Sequence, residues 1–235
     1  MADFRSALIL PAAGDGTRMG YTIAKPCIPI AGRPAIYYTL SAFAEMNGLS
    51  QVIIPARDDI ITQIDQVASG INWPAPVDIR VIKGGAERED SIRNALTYLN
   101  QDIDIVAVHD AVRPCIVSDD INKCAQKARL TGAAIVGVPC RDTLKKTDNG
   151  RVIHHTVDRS MVWHAQTPQC FNRELLLKAY GSSAGSREKS TDDASLIEQL
   201  QPVSLVEGSY YNIKLTYPED LAMAELIIQN RSSKA

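Results

Sequence analysis

No stretch of this chain approaches the ~20 consecutive apolar residues that a membrane-spanning helix needs, which excludes a helical membrane protein. Cysteine is sparse: Cys27, Cys115, Cys124, Cys140 and Cys170 are odd in number, far apart and without a C-x-x-C pair. That spacing argues against a disulfide framework and a zinc site, and it fits reduced thiols in the cytoplasm. A secretory leader is not expected, because the first six residues hold two charges and lead straight into a strand pattern. Net charge is also small, formally -2, so there is no global basic field to hold a long nucleic acid. An anionic small molecule would have to be gripped by local cations.

What is present suffices for a full core: 235 residues, 45% of them hydrophobic, within reach of one α/β domain. A single domain over 1–235 is therefore expected. Apolar, β-branched runs at 7–11, 52–55, 77–82, 103–108 and 133–138 alternate with segments of helical spacing such as 36–46 and 92–99. The pattern implies a mostly parallel twisted sheet with helices on both faces. After Pro139 the rhythm breaks, and residues 143–147 and 151–157 flank the turn signal Asp148-Asn149-Gly150. A lone polar hairpin is marginal in water, so this one is expected to pack against a second subunit in a homodimer. Further along, Thr191-Asp192-Asp193 can cap a helix through Leu200, and residues 212–216 read as a late strand. A last helix can start within 216–220, with Pro218 in its first turn.

The segment Pro11-Ala12-Ala13-Gly14-Asp15-Gly16-Thr17-Arg18-Met19-Gly20 follows the first strand and lets backbone N–H groups approach phosphate oxygens. It lacks the Gly-Lys-Ser/Thr ending of a P-loop. A dinucleotide fingerprint fails as well, because Gly20 follows Gly16 by four residues and Pro55-Ala56 stands where an acidic residue belongs. Arg18 and Lys25 add two cations beside the loop, as a triphosphate would need. A bland turn with solvated cations is the alternative.

In open α/β sheets, ligands sit beyond the carboxyl ends of the strands. Two further strand ends are polar. Gly84-Gly85 opens a helix carrying Ser91, and its backbone can read a base edge or serve turn geometry alone. His109-Asp110-Ala111-Val112-Arg113 follows a run that reads as central. Asp110 is the candidate ligand for Mg²⁺, which would offset the desolvation of an unpaired carboxylate; a structural Asp110–Arg113 ion pair is the competing account. His109 is not expected to act as a base, and His154, His155 and His164 read as surface or packing residues.

Taken together, Leu10-Pro11-Ala12-Ala13-Gly14-x-Gly16-x-Arg18-Met19-Gly20, Lys25-Pro26, Gly84-Gly85-x-x-Arg88-x-x-Ser91, His109-Asp110-Ala111-x-Arg113-Pro114, Asp142-Thr143-x-Lys145, Thr156-Val157-Asp158-Arg159, Gln166-Thr167-Pro168-Gln169, Thr191-Asp192-x-Ala194-Ser195 and Asn212-Ile213-Lys214-x-Thr216-x-Pro218-Glu219-Asp220 resemble the 2-C-methyl-D-erythritol 4-phosphate cytidylyltransferases of non-mevalonate isoprenoid biosynthesis. The resemblance implies a Rossmann-like nucleotidyltransferase fold with a protruding β-arm, residues 139–160, that builds a homodimer. It implies Arg18, Lys25 and Lys214 as catalytic cations and Asp110 as the Mg²⁺ ligand. CTP would be bound by Ala12, Ala13, Gly14, Gly16, Gly85, Ala86, Ser91 and Ala111. The polyol phosphate would meet Arg113, Thr143, Thr191 and Arg159, the last from the partner's arm.

Two positions depart from the family pattern: Ala86 replaces a frequent acidic residue, and Cys27 a common aromatic. Ribitol 5-phosphate cytidylyltransferases share most of these motifs, and a sugar-1-phosphate uridylyl- or guanylyltransferase would keep the class with another base. A non-catalytic CTP-binding module would be expected to have lost a cation, yet Arg18, Lys25, Asp110 and Lys214 are all retained.

Overall fold

The computed structural model describes residues 4–14, 23–182 and 191–232. From one edge of the central sheet to the other run β11 (Ser204–Glu207), β7 (Ala133–Pro139), β10 (Trp163–Asn172), β6 (Ile105–Val108), β1 (Ser6–Ile9), β4 (Leu49–Ala56) and β5 (Asp78–Lys83). All neighbours are parallel except β10, which runs against both β6 and β7. Strand β1 is Ser-Ala-Leu-Ile and wholly buried, as a strand covered on both faces must be. Its alternate residues belong to separate cores. Leu8 packs with α1 (Ala35–Phe43), α2 (Ile61–Ser69) and α4 (Ser118–Thr131), while Ala7 and Ile9 pack with α3 (Arg88–Leu96), α5 (Arg173–Ser182) and α6 (Asp193–Ile197). Each fully buried Leu or Ile in these layers contributes about 1.5–3 kcal/mol relative to exposure. A third cluster joins α7 (Glu219–Ser232) to β2 (Pro29–Ile30) through Ile28, Ile30, Leu215, Ala224 and Ile228.

After β1 the chain fills one side of that strand with β4 and β5, then crosses to the other side with β6. The connections therefore diverge at the carboxyl ends of β1 and β6, leaving a crevice between them. A small ladder of β8 (Lys145–Asp148) and β9 (Val152–Thr156) forms the expected hairpin, with Asn149 (φ 40°) and Gly150 (φ 81°) at its tip. Two successive positive φ values are what a two-residue primed turn requires. Every residue of both strands is exposed.

Several expectations need correction. Residues 212–216 form no strand: among their backbone groups, Leu215 N–H reaches Val112 O at 2.9 Å, and the buried Asn212 side chain donates to Gln166 Oε1 and Thr167 O instead. Asp192 does cap α6, accepting from Ser195 N–H, but the helix stops at Ile197 rather than Leu200. Beyond it the turn tightens to an i→i+3 bond from Leu200 N–H to Ile197 O, and Pro202 bars helical continuation. Helix α3 begins at Arg88, four residues before the apolar spacing starts at Ile92, because the N–H of Glu87 is received by the Asp90 carboxylate one turn on. Helix α7 begins at Glu219, so Pro218 precedes it.

Candidate active site

The crevice opens into a cleft of about 910 Å³. Ala12, Ala13 and Gly14 after β1 form one wall, Gly84 to Arg88 and Ser91 after β5 another, and Asp110 and Ala111 after β6 lie on the floor. Lys25, at the start of a 3-10 turn (Lys25–Cys27), lines it in contact with the segment from Lys214 to Thr216. Pro26 and Cys27 are buried behind Lys25 and hold its backbone.

Glycine is required in the second wall for close packing. A Cβ on Gly84 would stand 2.5 Å from Ala13 Cβ, and one on Gly85 would stand 2.3 Å from Asp90 Cβ. The Gly85 N–H donates to Ser91 Oγ at 3.0 Å, and the Ser91 hydroxyl donates to Glu87 O at 3.1 Å. Ser91 therefore braces the loop from a buried position as well as lining the cleft.

Asp110 is the electrostatic centre. Its Oδ2 lies 3.0 Å from Lys214 Nζ and 3.3 Å from Arg113 Nε, and its Oδ1 lies 3.4 Å from Arg88 Nε. Burial by itself would push this carboxyl up, but Lys214, then Arg88 and Arg113, outweigh it and hold the group well below the usual carboxylate range. The premise that Asp110 would be unpaired without a metal is thus corrected: three cations already compensate it, the Arg113 pair among them. Arg113 also donates to Asn212 O at 2.8 Å. Arg88 reaches on to the fully buried Asp193 at 2.7 Å, which accepts from Tyr180 Oη at 2.5 Å. Burial tends to lower the Arg88 pKa, but Asp193 and Asp110 raise it further, so its charge is permanent.

His109 is completely buried against Phe43, with ring centroids 5.0 Å apart. The Asp110 N–H donates to Thr167 Oγ1 at 3.1 Å, leaving the Thr167 hydroxyl proton to bond His109 Nδ1 at 3.0 Å. The other ring nitrogen faces Arg113 O at 3.4 Å. Burial pulls the His109 pKa down to about 3, so the imidazole is neutral and serves to fix the turn that carries Asp110 and Arg113.

The structure therefore brings together Ala12, Ala13, Gly14, Lys25, Gly85, Ala86, Ser91, Asp110, Ala111 and Lys214 at one cleft, with Arg113 against Asp110. Gly16 and Arg18 lie outside the described residues. Thr191 is exposed immediately before the cap of α6. Thr143 and Arg159 are exposed on the arm and do not line the cleft of their own chain. Arg88, to which sequence reasoning gave no role, ties Asp110 to the buried Asp193. Its signal was a basic side chain at a helix start facing a strand-end carboxylate. For Mg²⁺, the donor set fits one mode of binding only. Among the described residues no three His, Cys, Asp or Glu side chains converge, whereas one carboxylate beside a triphosphate-sized cleft suits an ion held jointly by protein and substrate phosphates.

Comparison with known proteins gives one answer throughout. A family pattern described as 2-C-methyl-D-erythritol 4-phosphate cytidylyltransferase matches residues 6–230. Proteins of that name from Caldanaerobacter subterraneus subsp. tengcongensis and Bacillus mycoides are 38% and 41% identical, covering 94% and 93% of this chain and 97% and 95% of their own. A solved structure of 4-diphosphocytidyl-2C-methyl-D-erythritol synthase from Anaerococcus prevotii superposes with a TM-score of 0.85 at 30% identity, covering 96% of each chain. The 2-C-methyl-D-erythritol 4-phosphate cytidylyltransferase of Thermus thermophilus gives 0.77 at 28% identity, covering 96% of this chain and 99% of that one.

Proposed function

The chain belongs to the 2-C-methyl-D-erythritol 4-phosphate cytidylyltransferase family, and we propose that its cleft transfers the cytidylyl group of CTP to 2-C-methyl-D-erythritol 4-phosphate, releasing pyrophosphate, in isoprenoid biosynthesis. The observation that carries the reading is the convergence of Lys25 and Lys214 on one glycine-lined cleft that also holds Asp110.

The reaction brings two polyanions together. At an effective dielectric near 20, like unit charges 4 Å apart repel by about 4 kcal/mol, so cations must be in place before the substrates meet. The acceptor's phosphate oxygen attacks the α-phosphorus of CTP in line, and the bond to the pyrophosphate oxygen breaks. That phosphomonoester is already anionic at neutral pH, which leaves no proton for a base to remove and suits the burial of His109 away from the cleft. Catalysis is positioning plus electrostatics. Lys25 faces the equatorial oxygens of the pentacoordinate state. Lys214, now paired with Asp110, is 45% exposed and can turn to a phosphate. Arg18 supplies a further phosphate cation by its place in the loop sequence. Ala12, Ala13, Gly14, Gly16, Gly85, Ala86, Ser91 and Ala111 take cytosine, ribose and the triphosphate backbone-first. Asp110 would hold Mg²⁺ together with the phosphates, and the ion's chemistry there is neutralisation of the triphosphate.

The acceptor phosphate meets Arg113, Thr191 and Lys214 of one chain and Thr143 and Arg159 of a second, so the working unit is a homodimer joined through the arm of a single domain. Val152, Ile153 and Met161 support this, being 64%, 59% and 84% exposed on the arm, where apolar side chains call for a covering surface. No helix among the described residues is long and apolar enough to cross a membrane. Scattered reduced cysteines and modest net charge favour the cytoplasm. The test is product identification by mass spectrometry after incubation with CTP, Mg²⁺ and each of two acceptors. Pyrophosphate and 4-diphosphocytidyl-2-C-methyl-D-erythritol are expected; turnover of ribitol 5-phosphate alone would reassign the acceptor, and no pyrophosphate with either would overturn the reading.

A further inference from the structure

Lys25 Nζ donates to the carbonyls of Leu215 and Thr216, at 3.3 and 3.4 Å. Those two oxygens belong to consecutive peptide units, whose nitrogens are Thr216 N and Tyr217 N. A trans peptide is planar, with its N–H and C=O pointing in opposite directions, so fixing one end aims the other. Both N–H groups donate to a single atom, Asp220 Oδ2, at 2.7 and 2.8 Å. The carboxylate thus lies behind two peptide planes whose front edges face the ammonium. Hydrogen bonds in series polarise one another, so an anion at the N–H ends strengthens the carbonyls as acceptors for a cation. The same segment carries Lys214 and is closed on it by Thr216 Oγ1 donating to Lys214 O at 3.2 Å. Its far end is fixed by the buried Asn212.

We propose that Asp220 is a positioning residue that sets Lys25, and with it the segment bearing Lys214, through the two peptide planes of Leu215-Thr216-Tyr217. The inference rests on Lys25 acting in the cleft, but the Asp220–Lys25 linkage itself stands apart from that activity. Asp220 does not line the cleft. A plain helix-start role predicts only lost stability.

The experiment measures the rate at which Lys25 is modified by a small amine-reactive acylating probe, read by peptide mass spectrometry, beside kcat and both KM values. In Asp220→Ala and in Asp220→Ser, whose side chain is too short for both N–H groups, Lys25 should be modified at least about threefold faster and kcat should fall about tenfold, with KM values little changed. Asp220→Asn retains an oxygen at the same place and should restore both readouts to within about threefold of the parent. Asn172→Ala removes a comparable cap far from the cleft, where Asn172 Oδ1 accepts from Glu174 N–H and Leu175 N–H, and it should lower the melting temperature without altering either readout. Unchanged Lys25 modification and kcat in the Ala and Ser variants would overturn the proposal, as would equal changes in Asn172→Ala. If Lys25→Ala kept normal turnover while Asp220→Ala still accelerated labelling, the catalytic reading would fail and the linkage would stand.

Discussion

At the cleft, Lys214, Arg88 and Arg113 all meet Asp110, and Lys25 meets two carbonyls of the same chain. On the β8–β9 arm, all strand residues face solvent, and Arg159 bonds the carbonyl of Arg141 within the arm itself. Charges that must meet a triphosphate are held in mutual compensation by their own fold, where leaving one buried and unpaired would cost several kcal/mol. Thr143 and Arg159, two of the residues assigned to the acceptor, are set on a projection whose Val152 and Ile153 are exposed. The difference teaches that the cleft is preorganised by folding, whereas under the proposed dimer the residues on the arm would take their place only on association.

The heaviest blow to that picture falls on the cleft side. Lys25→Ala should lower kcat about 10²-fold, a loss of ~3 kcal/mol expected for one preorganised donor, while leaving the melting temperature nearly unchanged. Near-normal turnover in a pyrophosphate-release assay would remove Lys25 from the mechanism. On the arm side, Arg159→Ala should raise the acceptor KM about tenfold and spare the KM for CTP. Ile153→Asp should convert dimer to monomer in sedimentation and raise the acceptor KM in parallel; a variant that stays dimeric would place the contact elsewhere.

Mixing sharpens the comparison further. At acceptor concentrations well below KM, where each variant alone is weakly active, co-refolded Lys25→Ala and Arg159→Ala chains should recover about one quarter of parental activity, because half of the dimers are mixed and each has one intact site. Recovery of none would mean the arm serves its own chain.

The last test concerns acid. Burial holds His109 at about 3 in the folded chain against an ordinary 6.5, so the unfolded chain takes up its proton first as pH falls. Stability should therefore decline with acidification across that window, by up to ~1.4 kcal/mol per pH unit from this group. Urea unfolding at pH 7, 6 and 5 should show a shallower decline in His109→Asn, and an unaltered slope would exclude His109 from the acid response.

Strands β1, β4, β6 and β7 were legible in the sequence because burial on both faces leaves apolar runs, the edge strand β5 because of its β-branched Ile79, Val81 and Ile82, and the hairpin because Asn149-Gly150 can adopt its turn. Strand β10 was not, because Gln166, Thr167, Pro168 and Gln169 look unlike a central strand. Gln166, Thr167 and Pro168 sit where the ladder with β7 is interrupted, so Pro168 forfeits no rung, and Thr167 is spent on Asp110 and His109. The segment 212–216 misled for the opposite reason: its alternation of Ile213 and Leu215 with Lys214 and Thr216 mimics a strand, yet it serves as a strap. The loop glycines, Lys25, Asp110 and Lys214 could be picked out from chemistry at strand ends. The tie from Arg88 to Asp193 could not, since its members stand 105 residues apart and only the fold adjoins them.

Strand β10 runs against its neighbours, so the chain leaves the sheet at Pro139 and rejoins it at Trp163 directly opposite. Everything between is a detour that begins and ends at one point on the catalytic rim. Residues can be added to or cut from that detour without displacing any rung of the sheet. The length of that detour is thus a separately adjustable dimension, which evolution or an engineer can retune while the sheet and the cleft it carries stay in place.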